Sequence, residues 1–88
     1  MAKRVYQPKV QPIAVQIHIQ RAIIVQCETA LAEMQKLHKL AAERGVGFMG
    51  APATPAKVAE YEALVRRRER EVTEAQERLA TLEAQAAA

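Results

Sequence analysis

Two series of positions, each stepping alternately by three and four, run through this chain at matching levels. The first is Ile13, Ile17, Gln20, Ile24, Cys27, Leu31, Met34, His38, Ala41; the second is Val58, Tyr61, Val65, Arg68, Val72, Ala75, Leu79, Leu82, Ala86. Such spacing keeps a narrow stripe on one side of an α-helix. Folded antiparallel, Ala41 meets Val58, Met34 meets Val65, Cys27 meets Val72 and Ile17 meets Leu82, the two numbers summing to 99 at every level. The pattern predicts an all-α fold: an antiparallel, coiled-coil-like two-helix hairpin with an extended N-terminal arm, part of a larger helical bundle or oligomer. The expected division of this single domain is an arm over 1–12, a helix over 13–44, a Gly/Pro apolar loop over 45–55 and a helix over 56–85.

Composition supports the helical reading. Ser, Asn, Asp and Trp are absent from the 88 residues, and every acid is Glu. Ser, Asn and Asp compete with the helical backbone for its hydrogen bonds and favour caps and turns. Ala, Glu, Arg, Gln and Leu, which dominate the second half, are good helix formers.

Residues 13–20 admit two readings. Ile13, Val15, Ile17 and Ile19 alternate with Ala14, Gln16, His18 and Gln20, a strand pattern rich in β-branched residues. Against it, Pro12 suits a first helical turn, the heptad continues back to Ile13, and the second helix needs a partner of equal length. Helix is the expectation. Gly45 after Arg44 marks the end of the first helix, and Thr54-Pro55 the start of the second.

Charge is unevenly placed. Lys3, Arg4 and Lys9 give the first twelve residues +3 with no acid; the remaining ten bases and ten Glu cancel. A neutral body with a basic arm is not built to coat nucleic acid, although the arm can meet phosphate or an acidic surface. Val5, Tyr6 and Val10 in the arm are suited to docking as an added strand; the bland alternative is a disordered tail. The run Arg66, Arg67, Arg68, Glu69, Arg70, Glu71 has Glu62, Glu69, Glu71 and Glu74 within helical reach, which points to local ion pairs rather than a nucleic-acid patch.

No catalytic, cofactor or metal constellation is present in the sequence, and the chain reads as a non-enzyme. There is no Ser nucleophile and no Asp; no Glu stands three residues before His18 or His38, as di-iron bundles require. Cys27 with two scattered His does not make a four-ligand zinc site. His38, level with Tyr61, reads as its hydrogen-bonding partner. The lone Cys27 reads as a reduced, buried thiol. The loop glycines follow no strand and precede no Lys-Ser/Thr, unlike a phosphate loop. The first apolar run starts at residue 13 and contains His18 and Arg21, so neither a secretory signal peptide nor a membrane span is expected. The expected location is the cytoplasm or a macromolecular particle.

The seam is interrupted by Gln20 and Arg68, polar residues of the kind that set register. Arg68 either snorkels along its aliphatic stem or meets a Glu of another subunit. Glu28 and Glu69 face each other across the flank, a mildly unfavourable pairing. Outside the seam, Val15, Ile19, Ala22, Ile23, Val25 and Ala30 make the first helix apolar nearly all round, which a two-helix hairpin cannot bury by itself. In the loop, Phe48 and Met49 either plug the end of the hairpin or form a sticky tip. The candidate partner interface is therefore Val15, Ile19, Ile23, Val25, Ala30, Phe48 and Met49.

In size and layout the chain resembles the needle subunits of type III secretion systems, short helical hairpins that turn at a Pro-x-x-Pro segment matched here by Pro52-Ala53-Thr54-Pro55. The basic arm and alanine-rich C-terminus depart from that pattern. The expected function is a non-enzymatic structural or assembly subunit, for example of a phage virion or secretion apparatus, whose partners are itself, a larger protein assembly, or both. The alternative is a small regulatory or inhibitory protein docking on a host protein or nucleic-acid complex through its arm and tip. Direct nucleic-acid binding is a weaker third.

Overall fold

The computed structural model describes residues 11–88. Two long helices, α1 (Ile13–Arg44) and α2 (Pro55–Ala87), pack antiparallel as a hairpin around a short apolar loop. The arm, apart from Gln11 and Pro12, lies outside the described residues; so do Lys3, Arg4, Lys9 and the proposed strand contacts of Val5, Tyr6 and Val10.

Residues 13–20 are helix, and the alternation of their β-branched residues does not produce a strand. Helix wins because Ile13, Ile17, Gln20 and Ile24 then share the side that meets α2. Pro12 sits at the cap position rather than inside the first turn, with φ −53° and ψ 145°. Its carbonyl accepts from the N–H groups of Val15 (3.0 Å) and Gln16 (3.1 Å). Among the described residues no side chain caps the free N–H groups here; instead the Gln16 amide reaches back to donate to the Gln11 carbonyl at 2.7 Å.

The other three helix ends follow from single residues. Gly45 adopts the left-handed conformation (φ 66°, ψ 24°) and donates its N–H to Ala41 O at 3.1 Å, closing α1. Thr54 Oγ1 accepts from the Lys57 N–H at 3.2 Å, and Pro55 occupies the first helical position. α2 therefore starts one residue before the expected 56. It also continues past 85 to Ala87, because alanine carries the lowest cost of joining a helix.

The seam is the core. Every position of the first series is buried or half-buried, and so is every position of the second except Ala86, near the end of α2. Ile24, Ala41, Tyr61, Ala75, Leu82 and Gln20 are the most enclosed side chains of the two helices. No large side chain among the described residues is wholly shut off from water, as expected of a layer only two helices thick.

Candidate interaction surface

Gln20 ties the two helices together. It is 4% exposed, and its amide donates to the Ala75 carbonyl at 2.9 Å. A helical carbonyl points toward the residue four positions on, here Leu79. The bond thus lies between the Ala75 and Leu79 levels, close to the level opposite Gln20 in the heptad pairing. Arg68, the seam's other register-setting candidate, is resolved within its own chain. It snorkels one turn along α2, where Nη1 meets both carboxylate oxygens of Glu71 at 2.9 and 3.2 Å.

Two more arginines of the run are paired locally, whereas Arg70 holds no carboxylate among the described residues. Arg67 joins Arg68 on Glu71, Arg66 pairs with Glu62 and Lys57 with Glu60. Glu69 and Glu74, also within reach, hold no arginine among the described residues. Glu28 and Glu69 both stand in solvent, where water and salt screen their repulsion.

The loop is more ordered than its glycines imply. Val46 and Pro52 pair as a single antiparallel bridge. The hydrogen bonds come from their neighbours, Gly47 N–H to Ala51 O (2.6 Å) and Ala53 N–H to Gly45 O (2.8 Å), so the missing N–H of Pro52 costs nothing. At the tip, Phe48–Gly50 form a tight turn closed by Gly50 N–H to Gly47 O and Ala51 N–H to Phe48 O, both 3.2 Å. Met49 carries a positive φ of 59° and is 88% exposed.

Tyr61 anchors this loop. Its ring is buried, and its hydroxyl accepts from the Phe48 N–H at 3.1 Å. The expected Tyr61–His38 hydrogen bond is thus replaced by a bond to the loop backbone, whose N–H has no other acceptor in the turn. Phe48 does not plug the hairpin: it remains 68% exposed. Cys27 is half-buried on the seam rather than fully enclosed. Among the described residues no three His, Cys or Glu side chains come together as metal ligands.

Exposure of large apolar side chains is one-sided. α1 exposes Val15 (40%), Ile19 (41%), Ile23 (38%), Val25 (62%) and Leu40 (43%), and the loop exposes Val46, Phe48 and Met49; α2 contributes none. The candidate interface residues do not form one surface. Ile19 and Ile23 line a shallow groove at the open end of the hairpin, with Arg78 and Leu82 of α2 on its other wall. Ala30 and Phe48 line a second groove, of about 450 Å³, near the loop, together with Leu37, Leu40 and Arg68. Val25 points to the opposite flank of α1, about 120° from Ile19 at 100° per residue. Met49 stands alone at the tip. Val15 lies one turn before Ile19 on α1 and does not line the first groove.

Leu37 and Leu40 therefore belong with Ile19, Ile23 and Ala30, a membership the seam-centred reading misses. The signal is present in the sequence. Positions 19, 23, 26, 30, 33, 37 and 40 form a further heptad series, each one residue before a seam position and so about 100° around the helix.

Among the described residues, no helix is long and apolar enough to cross a membrane. Comparison with models of protein families, with curated proteins and with solved structures finds no match to this chain. The class defined by the fold is an antiparallel helical hairpin with an unshared apolar flank on one helix.

Proposed function

We propose that this chain is a non-enzymatic structural subunit that acts through helix–helix contacts, associating with copies of itself, with a larger protein assembly, or with both, in the cytoplasm or within a particle. One observation carries the reading. Every large aliphatic side chain exposed on a helix belongs to α1, although the two helices are almost equal in length. The seam already satisfies α2. The unshared flank of α1 is the kind of apolar surface that soluble proteins reserve for partners.

The test is oligomeric mass with an interface variant. In light scattering at micromolar concentration the full chain is expected well above the 9.8 kDa of one copy. Ile23→Glu is expected to lower the mass to one copy while the helical circular-dichroism signal is retained. A wild-type chain that is monodisperse at 9.8 kDa overturns self-assembly.

The loop tip favours a second reading, a small regulatory binder. Met49 is held in a left-handed conformation and presented almost fully to solvent by a loop pinned to Tyr61. Strain of that kind persists where surrounding structure imposes it and gathers at functional sites. Under this reading, deletion of residues 1–12 or substitution of Phe48 and Met49 abolishes partner binding and leaves oligomeric mass unchanged. A nucleic-acid partner predicts affinity that collapses with added salt.

A further inference from the structure

We infer that the flank of α1 is self-complementary and is covered by a second copy of this chain, with the two α1 helices antiparallel and the two-fold axis passing near Ala30. The inference rests on the self-association proposed above and specifies its geometry.

The flank series Ile19, Ile23, Gln26, Ala30, Glu33, Leu37, Leu40 reads alike in both directions about Ala30. Reversed on itself, Ile19 falls level with Leu40, Ile23 with Leu37 and Gln26 with Glu33, each within one residue, and Ala30 falls on itself. A two-fold interface joins one patch to the same patch, so each residue and its counterpart exchange roles. This is the symmetry that the series possesses. Its smallest side chain lies at the centre, where two helices crossing on an axis approach most closely. Its aliphatic pairs lie outside, and the only polar level sets a Gln amide against a Glu carboxylate, a donor against an acceptor.

The two grooves follow the same logic. Both border this flank, one at the open end beside Ile19 and Ile23, the other at the loop end beside Leu37 and Leu40. An antiparallel copy brings the loop end of one chain over the open end of the other. It thereby sets Phe48, 68% exposed, toward the partner's open-end groove, of about 420 Å³. The footprint is adequate. Ile19 to Phe48 spans roughly 42 Å along the hairpin, and the face made by the α1 flank and the adjoining side of α2 is about 20 Å wide, so a copy that covers both helices buries roughly 800 Å² per partner. That is about the size of a standard stable interface.

Disulfide trapping in a Cys27→Ala background tests the geometry. Ala30→Cys is expected to convert the chain from a monomer to a dimer band on a non-reducing gel under mild oxidation. An equal mixture of Ile19→Cys and Leu40→Cys chains is expected to give the mixed dimer, and Ile19→Cys alone to remain largely monomeric. Val25→Cys, on the opposite flank, measures collisional background, and circular dichroism confirms that each variant is folded. A wild-type oligomer in which Ile19→Cys links to itself instead of to Leu40→Cys overturns the antiparallel arrangement and leaves self-assembly standing. So does an oligomer in which neither Ala30→Cys nor the mixture links above background. A wild-type chain of one-copy mass overturns both.

Discussion

The Tyr61 hydroxyl accepts a hydrogen bond from the backbone N–H of Phe48 at 3.1 Å, joining the second turn of α2 to the loop that precedes it. The loop is fitted around this contact. A Cβ on Gly47 would come to 3.0 Å from the same hydroxyl and 3.3 Å from Ala51 O. Tyr61→Phe removes the acceptor and leaves a part-buried N–H unpaired, at an expected cost of about 1–2 kcal/mol. For a domain of this size that is a fall in Tm of roughly 4–16 °C. Faster hydrogen exchange at the Phe48 amide, with the amides of mid-α1 unchanged, is the accompanying signature. An unchanged melting curve would show that the loop holds its shape without Tyr61.

Met49 adopts φ 59° while its side chain lies almost wholly in water. A non-glycine residue in this region costs roughly 1–2 kcal/mol. With so little packing to lose, Met49→Gly or Met49→Asn is expected to raise stability by about 0.5–1 kcal/mol, read as a higher urea midpoint at constant slope. If Met49 is the contact of a regulatory tip, the same substitutions weaken partner capture while stabilising the fold. A lower midpoint would mean that the Met49 side chain packs in solution.

The hairpin was legible because both of its determinants are local or periodic. Gly45, Thr54 and Pro55 punctuate the chain, and one heptad series on each side places Ile24, Ala41, Ala75 and Leu82 in the core. The α1 flank was half legible. Ile19, Ile23 and Ala30 stand out as apolar excess, but Leu37 and Leu40 merge with the seam until the position of α2 shows which side they face. The loop was least legible. Gly and Pro announce a turn, but which hydroxyl meets which N–H depends on the closing distance between helices, and no short-range pattern carries that. The pairing of Tyr61 with Phe48 rather than His38 is the clearest case.

Arg68 occupies a seam position but sends its guanidinium to Glu71 on its own helix, and both side chains are more than a third exposed. Exposed pairs of this kind contribute about 0–1 kcal/mol. Glu71→Gln is therefore expected to cost less than about 1 kcal/mol, and added salt to change the melting temperature little. Arg68→Leu places an aliphatic side chain opposite Leu31 and is expected to raise the denaturation midpoint. A marked loss of stability in Arg68→Leu would show that the guanidinium has a partner beyond Glu71, such as a carboxylate on a second chain.

Gln20 is the converse case, a polar seam residue that stays inside. Its amide donates to Ala75 O, an oxygen that the helix already pairs with the N–H four residues on, so removing the donor strands no backbone group. Replacement by an apolar residue of similar volume is then close to neutral, whereas truncation opens a cavity. Gln20→Leu is expected within about 1 kcal/mol of wild type, and Gln20→Ala about 1–2 kcal/mol below it, by urea denaturation. The register-setting role makes a separate demand. A buried polar residue excludes pairings in which it lacks a partner. Gln20→Leu should therefore relax the match between helices, seen as doubled or broadened amide resonances for Ala75 and Leu79 at unchanged helicity. A single sharp set of resonances in Gln20→Leu would assign the register to the loop and caps alone.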